Sequence, residues 1–273
     1  MTKTSILVAG VGGRMGKAVV AEVLRTPGAT LAGGFERPGG PDIGKDIGVL
    51  AGLDAIGLRV EDAAAHGLKR AGALIDFTAP AVSVENAKAS AQTGVAHIIG
   101  TTGFSAKDNA EIAALARQIP IVKAGNMSLG VNLLTALAEE AARLLGEDYD
   151  IEIFDAHHRR KVDAPSGTAL MLGEAAAEGR GVKLSEKAVG VNAVRTGARK
   201  TGEIGFSVFR GGGVVGEHRI CFAGEDEIIT LSHSAIDRGL FARGAVTAAR
   251  WAIGKAPGLY SMRDVLGLRS SGD

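Results

Sequence analysis

Apolar positions in the first half of the chain fall into short runs separated by stretches with helical spacing. The runs SILVAG (5–10), ATLAGGFE (29–36), ALIDFT (73–78), AHIIG (96–100) and IPIVKA (119–124) predict buried strands. Between them, RMGKAVVAEVLR (14–25) and the segments beginning near Ala81 and Ser105 repeat apolar residues at helical intervals. Strands alternating with helices predict an α/β domain with a Rossmann-type, doubly wound parallel sheet. The stretch RPGGPDIGKDIGVLAG (37–52) carries too many glycines and prolines for a regular element and predicts a surface loop.

The order changes after about residue 128. A long helix, GVNLLTALAEEAARLL (130–145), leads to a strand within YDIEIFDAH (149–157), whose extended part DIEIFDA is expected to stop before His157 and His158. A helix at TALMLGEAAAEG (168–179) follows. Three strand-like runs then succeed one another without intervening helices: EIGFSVFR (203–210), GEHRICFAG (216–224) and DEIITLSHSA (226–235). That succession predicts a mixed or antiparallel sheet in a second, α+β domain. The last long helix, RGLFARGAVTAARWAIG (238–254), is placed to return to the first domain. Cys221 falls in an apolar run and reads as core, His218 and His233 as hydrogen-bonded strand residues, and Trp251 as packing against the first domain.

Composition narrows the classes. The 273 residues are 46% hydrophobic and 4% aromatic, an ordinary globular make-up. With 31 basic against 30 acidic residues there is no global excess to hold nucleic acid. No run approaches the roughly 18 apolar residues of a spanning helix, and the amino-terminal apolar run is too short for a signal peptide. One cysteine allows no internal disulfide, which fits a reducing cytoplasm.

Two segments carry chemistry. VAGVGGRMG sets Gly10, Gly12, Gly13 and Gly16 between the first strand and first helix, where backbone N–H groups approach a pyrophosphate. The strict G-x-G-x-x-G spacing fails because position 15 is Met, so a glycine-rich turn that binds nothing is the competing reading. Glu36, at the end of the second strand, is placed to hold adenosine ribose hydroxyls, and Arg37 beside it to pair with a 2′-phosphate or to form a solvated ion pair. Together they predict use of both NADH and NADPH. GTTGF (100–104) and AGNMSLG (124–130) follow two further strands and are placed to line the nicotinamide end.

The second segment, HHRRKVDAPSGT (157–168), packs five basic side chains into consecutive positions and calls for an anion or open water. Ser166 reads as a helix N-cap, with Gly167 and Thr168 opening the helix behind the run. Arg159 and Arg160 flank Lys161, and their like charge is expected to make its ammonium a readier proton donor, the property useful in a general acid. A solvated loop, a phosphate patch, or a metal held by His157, His158 and Asp163 are the alternatives, the last without a recognised ligand spacing.

Taken together, VAGVGGRMG, DFTAP, GTTGF, NMSLGVN, EIFDAHHRRKVDAPSGTA, GEHRICFAG and SMRDVL resemble the dihydrodipicolinate reductase family, also called 4-hydroxy-tetrahydrodipicolinate reductase, over almost the whole chain. The resemblance implies a dinucleotide domain over 1–128 completed by 238–273, and an inserted substrate and tetramerisation domain over 129–237. It implies reduction of a cyclic imine dicarboxylate by NADH or NADPH in diaminopimelate and lysine synthesis, without a metal, by a cytoplasmic homotetramer that engages neither nucleic acid nor membrane. Carried over by position, it puts cofactor contacts at Gly10, Val11, Gly12, Gly13, Arg14, Met15, Glu36, Arg37, Gly100, Thr101, Thr102, Ala124, Gly125, Asn126 and Met127. Substrate contacts fall at His158, Gly167 and Thr168, and catalytic roles at His157 and Lys161, with the proton donor of the two left open. Many members carry alanine and an aromatic residue where Gly125 and Met127 stand, which bears on the packing of the nicotinamide side. A redox sensor and an amino-acid or semialdehyde dehydrogenase are the rival functions, and the sensor has no use for a dicarboxylate pocket beside a proton donor.

Overall fold

The computed structural model describes residues 4–190 and 197–268; residues 1–3, 191–196 and 269–273, which the expected domain ranges include, lie outside them. The chain divides into two compact units, Met1–Ser128 with Gly239–Gly267, and a second beginning with Leu129–Arg238.

In the first unit the alternating pattern becomes β1 (Thr4–Ala9), α1 (Arg14–Arg25), β2 (Ala29–Phe35), α2 (Ile47–Leu50), α3 (Ala64–Leu68), β3 (Ala73–Asp76), α4 (Pro80–Thr93), β4 (Ala96–Ile99), α5 (Ala106–Leu115) and β5 (Pro120–Lys123). Strands β3 and β4 are buried at every position, as strands covered on both faces should be. The segment expected to be a plain loop contains the one-turn helix α2. Asp46 makes it possible by accepting from the N–H groups of Gly48, Val49, Ile56 and Gly57, and Ile47 is then fully buried.

The second unit holds α6 (Leu129–Leu145), β6 (Asp150–His157), α7 (Gly167–Gly179), α8 (Leu184–Lys187), β7 (Ala188–Val189), β8 (Ile204–Arg210), β9 (Gly216–Ala223) and β10 (Ile228–Ala235). Its sheet runs β10-β9-β6-β8-β7 and is mixed: β6 pairs parallel with β8 and antiparallel with β9. The period of two sorts its residues. Ile151, Ile153, Ile204, Phe206, Ile220 and Phe222 join Leu134, Ala138, Leu172 and Ala176 of α6 and α7 in one core. On the other face, Phe154, Phe209 and Ile228 are exposed. Cys221 pairs with Glu152 and Thr230 on this outer face, so it is not core; the strand's alternation turns Ile220 and Phe222 inward instead.

The chain then adds α9 (Gly239–Ala252), β11 (Gly258–Tyr260) and α10 (Met262–Leu266) to the first unit. There α9 packs on α1 and on the sheet, and Trp251 meets Tyr260 edge to face. Strand β11, too short to register as a period, extends the parallel sheet to β11-β5-β4-β3-β1-β2. No helix among the described residues is long and apolar enough to cross a membrane.

Candidate active site

Because β1, β3, β4 and β5 are parallel neighbours, the residues just beyond their carboxyl ends share one edge of the sheet. This brings together residues 10–15, 100–102 and 124–127, with Glu36 and Arg37 following β2 on the same side. Gly10 takes φ +62°, a conformation that glycine adopts without strain. A methyl at Gly16 would stand 2.2 Å from the Gly10 carbonyl oxygen, so α1 packs directly on the turn. No side chain caps that helix at Gly13, and its positive end is suited to a phosphate. Glu36 Oε1 accepts from the Gly12 N–H at 2.8 Å, which ties the acidic residue to the turn. These residues fit a dinucleotide: bare backbone at a helix start, with a carboxylate beside it. Arg14 and Arg37 are exposed at its margin.

Beneath this edge lies a polar network that sequence periodicity did not isolate. Asp76, fully buried at the end of β3, accepts from the Thr78 N–H (2.8 Å) and hydroxyl (2.6 Å) and from Asn86 Nδ2 (2.8 Å), with His97 Nε2 3.4 Å away. Burial works to raise its pKa, but His97, Asn86 and Thr78 outweigh it and hold the carboxyl at about 2. Ser83 donates to Thr101 Oγ1 at 2.8 Å, so the Thr101 side chain is buried in this network while Thr102 is exposed. Gly100 has a packing reason to lack a side chain, since a methyl there would fall 2.1 Å from the Phe77 ring. At Gly125 a methyl would meet nothing within 4 Å, and Met127 is buried.

In the second unit, β6 runs one residue further than expected. His157 is its last residue, held because Gly211 donates to the His157 carbonyl at 2.9 Å; the strand ends between the two histidines. His157 therefore turns inward with Ile153 and Asp155, while His158 is only partly buried. Lys161 closes a turn by donating its N–H to the His158 carbonyl at 3.0 Å. Its Nζ lies 2.8 Å from Asp163, a partner opposite in sign to the flanking arginines weighed from sequence. Arg159 and Arg160 are exposed. His158 is held below the usual histidine range, first by desolvation and then by Arg160, Arg238, His157 and Lys161. Ser166 caps α7 by accepting from Ala169 N–H at 3.2 Å, with exposed Gly167 and half-buried Thr168 opening the helix.

Under the basic run sits a buried anion. Asp155 Oδ1 lies 2.8 Å from His157 Nδ1, and Oδ2 accepts from Arg210 Nη2 (2.9 Å) and the Ser166 N–H (2.7 Å). Burial opposes its charge, yet His157, the Ser166 N–H and Arg210 together hold the carboxyl well below the usual carboxylate range. Strand register supplies the rest. Asp155 pairs with His218, which pairs with His233, and His157 pairs with Arg210. His218 meets Ser166 Oγ at 3.2 Å and the His157 ring at 5.0 Å between centroids. Burial, then the charge of His157, push the His218 pKa down to about 4. Asp155, His157 and His218 bring ligand-type atoms within 4.8 Å of one another. However, the Arg210 guanidinium already occupies Asp155 and opposes a cation there.

Two family models divide the chain between them: Dihydrodipicolinate reductase, N-terminus, matches residues 4–127, and Dihydrodipicolinate reductase, C-terminus, matches residues 130–266. The 4-hydroxy-tetrahydrodipicolinate reductase 1 of Mesorhizobium japonicum is 56% identical over 264 residues, 96% of this chain and 97% of that protein. The 4-hydroxy-tetrahydrodipicolinate reductase of Brucella abortus is 53% identical over 97% of this chain and 99% of its own length. Among solved structures, a dipicolinate-bound dihydrodipicolinate reductase from Paenisporosarcina sp. TG-14 superposes with TM-score 0.76 at 24% identity, covering 95% of this chain and 98% of that one. An amine dehydrogenase from Mycobacterium smegmatis gives 0.66 at 17% identity, covering 96% and 95%, a likeness of fold. On the two family matches and the identity to full-length relatives, the chain belongs to the dihydrodipicolinate reductase family.

Proposed function

We propose that the chain reduces 4-hydroxy-tetrahydrodipicolinate to tetrahydrodipicolinate in diaminopimelate and lysine synthesis, with NADH or NADPH as reductant. Membership of the family, at 56% identity over 96% of the chain to a relative bearing that activity in its name, is the observation that carries this reading. The glycine turn at residues 10–15 holds the pyrophosphate, Glu36 and Arg37 hold the adenosine ribose side, and residues 100–102 and 124–127 hold the nicotinamide side. When bound, the reduced nicotinamide supplies the hydride.

Loss of water from the 4-hydroxy substrate leaves a carbon–carbon double bond conjugated to the imine; hydride adds to the far end of that double bond, which leaves an enamine-like anion. The chain must protonate the neighbouring carbon. His157 and Lys161 handle that proton, and the substrate's two carboxylates are divided between the start of α7, at Gly167 and Thr168, and His158 with the cations around it. A His158 kept largely neutral suits hydrogen bonding to a carboxylate more than ion pairing. No metal enters this scheme. The exposed outer face of the second sheet, with Phe154, Phe209 and Ile228, is the surface on which copies of the chain pair into a homotetramer. The work is done in the cytoplasm.

Following nicotinamide absorbance with freshly generated substrate tests the reading. Oxidation of either reduced cofactor that depends on that substrate supports it; no oxidation of NADH or of NADPH removes it.

A further inference from the structure

Asp155 belongs to neither the basic run nor the glycine turn, yet it is 1% exposed, and groups from three strands and the start of α7 converge on it. Its own strand brings His157 Nδ1 to 2.8 Å, β8 brings Arg210 to 2.9 Å, and β9 brings His218 Nε2 to 3.6 Å. The start of α7 adds the Ser166 N–H at 2.7 Å. His233, on β10, stands behind His218 at 6.3 Å between ring centroids. Lys161, in the loop after β6, pairs with Asp163 at 2.8 Å, and its charge acts on His218. A buried carboxylate this well compensated stays ionised across the physiological range.

We propose that Asp155 is a positioning residue for the reaction: it fixes the His157 ring by its Nδ1, while Arg210 anchors the carboxylate. Local packing agrees. A methyl at Gly216 would stand 3.1 Å from His157 Nε2 and 3.6 Å from His218 Cε1, so a glycine opposite the ring gives Nε2 the space that Asp155 denies to Nδ1. Ser166 is not a nucleophile in this cluster. Its Oγ accepts from the Ala169 N–H and its side chain is buried, which makes it a cap that also steadies His218. The inference rests on the proposed reaction for its meaning, but the coupling of Asp155 to His157 exists without substrate.

Charge-changing variants on the two sides of the carboxylate separate this role from mere damage. In Asp155→Asn an amide no longer holds Nδ1 as the carboxylate does, so the tautomer and orientation of the His157 ring change, and the pH–kcat profile changes shape with them. In Arg210→Met the carboxylate keeps its charge but loses its anchor, so the ring is loosened less than in Asp155→Asn. Turnover in Asp155→Asn falls on the order of 10–100-fold, as for outer-shell partners that orient a histidine, with KM changed less than about threefold because Asp155 does not touch substrate. In the unliganded protein, ring ¹⁵N shifts of His157 report the same change whether or not the substrate has been identified correctly. Altered His157 ring shifts in both variants, larger in Asp155→Asn, support the inference; unchanged His157 shifts in Asp155→Asn overturn it. If Asp155→Asn does not fold, unchanged His157 shifts in Arg210→Met overturn it.

Discussion

The carboxyl edge of the parallel sheet and the end of β6 bind different things because they are made of different things. The first is backbone: a turn packed so closely that a methyl added at Gly16 would stand 2.2 Å from the Gly10 carbonyl oxygen, and a helix start without a side-chain cap. The second is a set of basic side chains from β6, β8 and the following loop gathered over one buried carboxylate, with a capped helix start behind. A backbone site tolerates little change in shape and reads no particular protonation state. A side-chain site tolerates changes of shape better but depends on proton occupancy.

Substitutions should separate the two. The largest effect is expected at Lys161: replacing it with alanine lowers kcat on the order of 10²–10⁴-fold, the range for loss of a general acid, while NADH affinity measured by fluorescence titration stays within about threefold. Unchanged turnover would remove Lys161 from the chemistry. Gly16→Ala acts on the other site and by another route. Its methyl meets the Gly10 carbonyl oxygen at 2.2 Å, and an overpacked contact of that kind costs about 1–3 kcal/mol. Cofactor affinity should fall at least roughly tenfold, with a lowered melting temperature, and a variant that binds NADH normally would show that the turn is not the pyrophosphate site.

Acid should break the edge through its support. Asp76 sits at about 2 in the folded protein against 3.8 ordinarily, so it contributes stability above pH 4 that is lost as pH falls from about 4 towards 2. The shift corresponds to about 2 kcal/mol, and Asp155 acts in the same direction. Denaturant melts at pH 6 and pH 3 check this; Asp76→Asn should flatten the difference. The smallest effect is at exposed Arg37. Arg37→Ala should raise KM for NADPH roughly tenfold, the worth of a charge-assisted hydrogen bond, and leave NADH nearly unaffected. Equal effects on both cofactors would reassign Arg37 to general electrostatics.

What could be read from the sequence follows the same division. Strands β1 to β5 and helices α1, α4, α5 and α9 of the first unit were legible because burial against a parallel sheet produces apolar runs and helical spacing, and its turn because glycine spacing is local; α3, β11 and α10 are too short to show a period. The one-turn helix at Ile47–Leu50 was not legible either, since its cause is Asp46 reaching ten and eleven residues ahead to Ile56 and Gly57. In the second unit the basic run and the Ser166 cap were legible, being contiguous. Arg210 and His218, by contrast, reach Asp155 only through strand register, from 55 and 63 residues away in sequence. A single acidic residue closing an apolar strand was the available signal at Asp76; β6 carries Asp150, Glu152 and Asp155, and only the period of two marks Asp155 as the one on the inward face with Ile151 and Ile153. Cys221 was misassigned because a run of apolar letters says nothing of which face each residue takes until the register is known.

The claim that the basic run and the start of α7 form a dicarboxylate site is most directly tested by calorimetric titration with pyridine-2,6-dicarboxylate at saturating NADH. The wild-type chain should bind it in one-to-one ratio, and Lys161→Ala or Thr168→Ala should weaken binding roughly tenfold or more without altering NADH affinity. Binding that is undiminished in both variants would contradict the assignment.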